Sequence, residues 1–120
     1  MPTRLFNMQT FANLDLEDGS DLPPWATING NPEIRICLLA GDGESAGTMA
    51  AWTAERDGFT YTNLPSGESA FLLQGRARLT EDSGTVTEVS AGQGYSLPAG
   101  WSGTFEALEP VRKVFYLLSE

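Results

Sequence analysis

Histidine is absent from this 120-residue chain, and cysteine and lysine occur once each. Without imidazole there is no Ser-His-Asp or Cys-His pair and no imidazole general base. The usual zinc and non-haem iron sites need imidazoles or several thiolates, so only an all-oxygen site for a hard cation stays open. A lone Cys37 excludes an intramolecular disulfide and a disulfide-stapled scaffold. With no imidazole to activate it, Cys37 is expected to be an inert buried thiol. Cations are scarce as well: seven basic side chains face sixteen acidic ones, for a net charge of −9 and a pI near 4.3. Seven scattered cations cannot form a phosphate-neutralising stripe, which excludes nucleic acid as a partner. Long apolar runs are missing too. The two longest, 36–40 and 114–118, fall far short of a bilayer span, and the first twenty residues carry no apolar signal-peptide region. The expectation is a cytoplasmic protein with no membrane partner.

What is present is the composition of a folded domain, 41% hydrophobic and 19% charged. A chain of this length supports one core and not two. Thirteen Gly and seven Pro cut it into short segments. Most segments are rich in Val, Thr, Phe, Tyr and Leu, as strands are. Residues 76–80 and 85–89 alternate apolar with polar side chains, and EDSG between them reads as a hairpin turn. The segment 114–118 is apolar on both faces, which suits a strand covered from both sides. Closely spaced strands with no helical stripe from residue 30 onward predict an all-β sandwich or barrel of two antiparallel sheets. Residues 33–119 are expected to form the barrel and 1–28 an N-terminal arm.

From Gly58 onward the chain resembles the cupin superfamily of double-stranded β-helix (jelly-roll) barrels. The first cupin motif ends E-x6-G, and here Glu68 is followed after six residues by Gly75. The second begins G-x5-PxG, matched by Gly92, Pro98 and Gly100. The ending from Gly103 to Lys113, GTFEALEPVRK, is similar to the subgroup of ureidoglycine aminohydrolase-type and ethanolamine-utilisation-type cupins. The resemblance implies the barrel. It does not carry over the family's metal, because the HxH pair falls on Thr62 and Leu64 or on Tyr61 and Asn63. The third histidine position is Gly103 and the Asn position is Ala107. Of the four usual ligands only Glu68 remains, and one carboxylate cannot hold a transition metal against water. No cofactor is expected.

Glu68 is the first candidate site residue, a tentative acid or base if it points inward as the resemblance implies; otherwise it accepts hydrogen bonds from the Ser66-Gly67 turn or pairs with an arginine. Tyr61 and Asn63 alternate on one segment and are candidates for a pocket mouth, although a Tyr also suits the core. Arg112 and Lys113 must point to opposite faces of the last strand. One of them, assigned as Lys113, meets a ligand inside the barrel, or else the pair makes salt bridges to Glu106, Glu109 or Glu68. Trp101 is a candidate cap for the pocket, whereas Trp25 and Trp52 suit the core or an interface. GDGESAG (41–47) lacks the Lys of a phosphate loop, and the acidic 14–21 lacks EF-hand spacing.

The function these residues point to is a metal-independent barrel binding a small polar or anionic metabolite. A non-catalytic sensing or interaction module with a filled cavity is the alternative, followed by an enzyme whose metal is held by carboxylates alone. A homodimer is expected, because a small sandwich has sheet edges to cover.

Overall fold

The computed structural model describes Phe11 and residues 14–118. These form eleven strands: β1 (Glu17–Asp18), β2 (Ala26–Asn29), β3 (Arg35–Ala40), β4 (Met49–Ala54), β5 (Asp57–Tyr61), β6 (Glu68–Gln74), β7 (Arg76–Glu81), β8 (Val86–Ser90), β9 (Gly94–Leu97), β10 (Gly103–Ala107) and β11 (Val111–Leu117). One sheet has the order β1-β3-β4-β11-β6-β9 and the other β2-β5-β10-β7-β8, with antiparallel pairing throughout. This is the all-β, two-sheet barrel that the strand spacing and the motifs predict.

The turns follow the glycines. Gly75 takes φ +90° between β6 and β7, and a Cβ there would collide with the Pro110 carbonyl oxygen. Only glycine fits that corner, which is the physical reason for the Gly of E-x6-G. The EDSG turn closes the β7–β8 hairpin, with the Glu81 N–H donating to the Thr85 carbonyl at 2.9 Å. Arg76 and Arg78 both face outward and pair with Glu88, and further with Glu109 and Glu106 respectively. All these partners are about half exposed, so each pair contributes at most about 1 kcal/mol.

Stability comes instead from the space between the sheets. Trp52 of β4 packs edge-on against Phe59 of β5 and Phe105 of β10, and those two rings stack with centroids 5.1 Å apart. Leu64, Leu72, Leu79 and Val111 complete this core. Burial of each large apolar side chain is worth about 1.5–3 kcal/mol, and an aromatic pair adds about 0.5–1.5 kcal/mol.

Three expectations change. Residues 17–18 and 26–28, read as part of an arm, lie in edge strands of the two sheets, the second of which runs on to Asn29. Residues 1–10, 12 and 13 of the arm lie outside the described residues. The last strand runs between β4 and β6, but its outer face is only partly covered: Tyr116 is 41% exposed and its neighbour Phe71 48%. Cys37 is half-buried on β3 instead of sealed in the core, because it faces away from Ile36, which pairs with the inward Trp52.

Candidate functional site

Strand register aims the central residue of the site. The pairing of β11 with β6 shifts register between Arg112, opposite Gln74, and Lys113, opposite Leu72. Leu73 is the extra residue, so the bulge lies on β6, whereas β11 pairs with β4 without a shift and sets Lys113 opposite the inward Trp52. Lys113 therefore points inward and is 1% exposed. Arg112 points outward, its Nε donating to Gln74 Oε1 at 3.2 Å and its guanidinium lying 5.6 Å from the Phe11 ring centre.

Inside, Lys113 meets Glu68, which is fully buried at the start of β6. Lys113 Nζ lies 3.9 Å from Glu68 Oε2 and donates to the Tyr95 hydroxyl at 2.8 Å. The Tyr61 hydroxyl donates to Glu68 Oε1 at 2.6 Å, and the Tyr95 hydroxyl makes a long contact of 3.5 Å to Oε2. The cation is also enclosed by rings, 4.3 Å from the centre of Phe105 and 4.4 Å from that of Trp52. A desolvated cation over an aromatic face gains about 2 kcal/mol, which offsets part of its lost hydration. No buried side-chain nitrogen or oxygen among the described residues lacks a hydrogen-bond partner.

Burial pushes the Lys113 ammonium down to about 8, with the Glu68 carboxylate acting in the opposite direction. Burial, reinforced by the charge of Glu68, raises both Tyr61 and Tyr95 well above the ordinary phenol value. Both phenols therefore remain protonated donors.

Lys113 lines a cavity of about 300 Å³ between the sheets. Trp25, Trp52, Phe59, Tyr61 and Phe115 form its walls, and Asp18, Asp21, Asp42 and Glu44 stand among its outer residues. Glu68 is not on the wall; it stands behind Tyr61 and Lys113. The rim acids belong to the two acidic stretches 14–21 and 41–47. Asp42 accepts hydrogen bonds from the backbone of Glu44 and Ser45 and from the Ser45 hydroxyl, which hold its carboxyl down at about 2. Asp18 is likewise lowered, chiefly by hydrogen bonds from Ser20. These carboxylates remain charged at neutral pH, so the mouth is acidic.

The structure thus brings together Glu68, Tyr61 and Lys113. It separates Asn63 and Trp101 from them. β5 ends at Tyr61, and Asn63 turns in the left-handed region (φ +52°), exposed, with its N–H donating to Ser102 Oγ at 2.8 Å. Strand alternation does not continue through that turn, so Asn63 misses the interior. Trp101 is buried and sits edge-on to Tyr61 at 6.3 Å, lining a separate cleft of about 160 Å³. It backs the site and does not cap the cavity. Tyr95 is the residue sequence reading missed, although its place two residues before Leu97 on β9 puts it on the inward face.

At the positions equivalent to the metal-binding histidines, Tyr61 is already bonded to Glu68, Leu64 is apolar and buried, and Thr62 and Asn63 are exposed. Gly103 and Ala107 offer no side-chain donor. With an ammonium ion facing the one carboxylate, these residues do not fit a transition metal. Among the described residues, no group of three or more His, Cys, Asp or Glu side chains is placed to hold one.

Two facing antiparallel sheets, a carboxylate at the E-x6-G position and an interior cavity define a cupin barrel. Residues 43–115, more than half of the chain, match the EutQ-like cupin domain, and the chain belongs to that family. No curated protein matches it. Among solved structures it is similar to the Clostridium difficile EutQ protein, with 17% identity, a TM-score of 0.70, and 89% of this chain and 82% of that one covered. It is also similar to a putative ethanolamine utilization protein Q from Salmonella typhimurium (20% identity, TM-score 0.62, coverage 71% and 68%). A DUF861 family protein from Thermotoga maritima matches at 26% identity, with a TM-score of 0.53 and coverage of 57% and 76%. Among the described residues no helix is long and apolar enough to cross a membrane.

Proposed function

We propose that this chain binds a small metabolite in its barrel cavity and does so without a transition metal. One observation carries the reading: a buried Lys113–Glu68 pair, satisfied by Tyr61 and Tyr95, adjoins an aromatic cavity of about 300 Å³. A pocket that is mostly apolar with a few convergent polar groups is the usual form of a small-molecule site. The charge pattern selects among ligands. Glu68 offsets Lys113, so the interior has no net charge to attract an anion, while the acidic mouth repels one. Of the polar or anionic metabolites expected from the sequence, neutral ones with an apolar body and a hydrogen-bonding head fit better.

Thermal-shift and saturation-transfer NMR screening with small neutral carbonyl compounds, alcohols and amides tests this. A ligand at one hundred times its Kd stabilises by about 2.7 kcal/mol, which is easily seen in a melting curve. Binding that is lost on filling the cavity by Ile36→Trp supports the reading. If nothing binds, and Glu68→Gln changes only stability, the cluster is structural. The interaction-module alternative draws its support from the stacked Phe59 and Phe105 and from Leu64, which fill the rest of the interior.

A further inference from the structure

We propose that Lys113 is a carbonyl-reactive amine, forming a Schiff base with a small neutral aldehyde or ketone held in the aromatic cavity. The proposal rests on the cavity being a ligand site and adds the class of ligand and the bond it forms. Lys113 is the only lysine of the chain, and it is spent on no surface task. Its pairing opposite Trp52 of β4 faces it inward, where it lines the cavity together with Trp25, Phe59 and Tyr61. A lysine used only to neutralise Glu68 would need neither a cavity beside it nor a hydroxyl between the two charges. Here the Tyr95 hydroxyl accepts from Nζ at 2.8 Å and also approaches Glu68 Oε2 at 3.5 Å, so a proton path joins amine and carboxylate.

The chemistry balances within this set of groups. The ammonium passes a proton along that path, and the free amine attacks the carbonyl carbon. A C–N bond forms, the C=O π pair moves to oxygen, and a proton moves from nitrogen to that oxygen to give a carbinolamine. The nitrogen lone pair then closes the C=N bond as the hydroxyl departs with a returned proton as water. The product iminium keeps the positive charge where the ammonium had it, between the rings of Trp52 and Phe105 and beside Glu68. The same contacts that hold the lysine cation therefore hold the product. Desolvation is a recognised way to activate a lysine for this step. With the amine at about 8, roughly a tenth of Lys113 is unprotonated at pH 7, against a few in ten thousand for an exposed lysine.

The test is reductive trapping of the full chain at pH 7 with benzaldehyde and, separately, butanal in the presence of sodium cyanoborohydride, read by intact mass and peptide mapping. Only Lys113 and the chain's α-amino group offer amines, so the site of labelling is unambiguous. The expected result is labelling of Lys113 at least tenfold faster in the folded chain than in urea, and loss of that adduct in Lys113→Arg. Because the folded-to-unfolded ratio is measured on the wild type, the outcome holds even if Lys113→Arg misfolds. Labelling confined to the α-amino group, or no faster at Lys113 in the folded state, overturns the proposal. Benzyl alcohol and butanol separate the two readings by saturation-transfer NMR, since they fit the cavity but form no imine. Alcohol binding without a Lys113 adduct removes the amine chemistry and leaves the ligand site; no binding and no adduct remove both.

Discussion

Replacing Glu68 by Gln leaves a nearly isosteric side chain but removes the charge that faces Lys113 at 3.9 Å. Breaking a buried ion pair from one side typically costs about 3–5 kcal/mol, because the orphaned charge stays buried. Lys113 has an escape, however. With a value of about 8 it releases its proton at pH 7 for about 1.4 kcal/mol, which caps the penalty from the lysine side. The remaining loss is the Tyr61 hydroxyl's 2.6 Å bond, which passes from a charged acceptor to a neutral one and weakens by about 1 kcal/mol. The sum is about 2 kcal/mol at pH 7. At pH 9 the wild-type lysine is already mostly neutral, so only the hydrogen-bond part remains, about 1 kcal/mol. Urea denaturation of both proteins at the two pH values reads this directly. An equal deficit at pH 7 and pH 9, or no deficit at either, would refute the charged-pair description of the site.

The wild type should carry its own pH signature. Between pH 8 and 10.5 the unfolded chain keeps the Lys113 proton that the folded chain has released, so the unfolded state binds more protons at this group and its contribution to stability rises with pH, by on the order of 3 kcal/mol over the full window. Above pH 10 the sign reverses, because Tyr61 and Tyr95 hold their protons when folded and lose them when unfolded. A stability maximum on the alkaline side, absent in Lys113→Met, is the expected outcome of denaturant titrations across this range. Gly75→Ala should be severely destabilising, by about 3 kcal/mol or more, since it combines a positive φ with a collision against the Pro110 carbonyl; unchanged melting would remove the account given of that corner. The homodimer expected from sequence is checked by equilibrium sedimentation at micromolar concentration. If the exposed Phe71 and Tyr116 form its interface, Phe71→Arg yields a monomer whose melting temperature no longer depends on protein concentration.

The barrel was legible in the residues because its signals are local. Gly75, Gly92 and Gly100 all adopt the positive φ that makes them obligatory corners, and alternation along 76–80 is a property of the strand itself. The missing histidines were likewise decisive, since no folding can supply an imidazole. Part of the site was legible too: Glu68 was located by its spacing to Gly75, and Tyr61 by its place beside the motif.

Other assignments needed the assembled sheets. Alternation says that Arg112 and Lys113 face opposite ways, but not which of them faces inward. That phase is set by the register of β11 on β4, which places Lys113 opposite the inward Trp52, while a bulge at Leu73 lets β6 follow the same strand. Asn63 was lost to the site because the strand stops at Tyr61. Tyr95 was gained because β9 pairs with β6, placing its hydroxyl between Lys113 and Glu68. The sequence alone determined that the chain has no histidine and pointed to a cupin barrel with a carboxylate at the E-x6-G position. Only the tertiary structure decided that the carboxylate's partner is a lysine in an aromatic cage, because strand register, a long-range property, chooses which side chains share the interior.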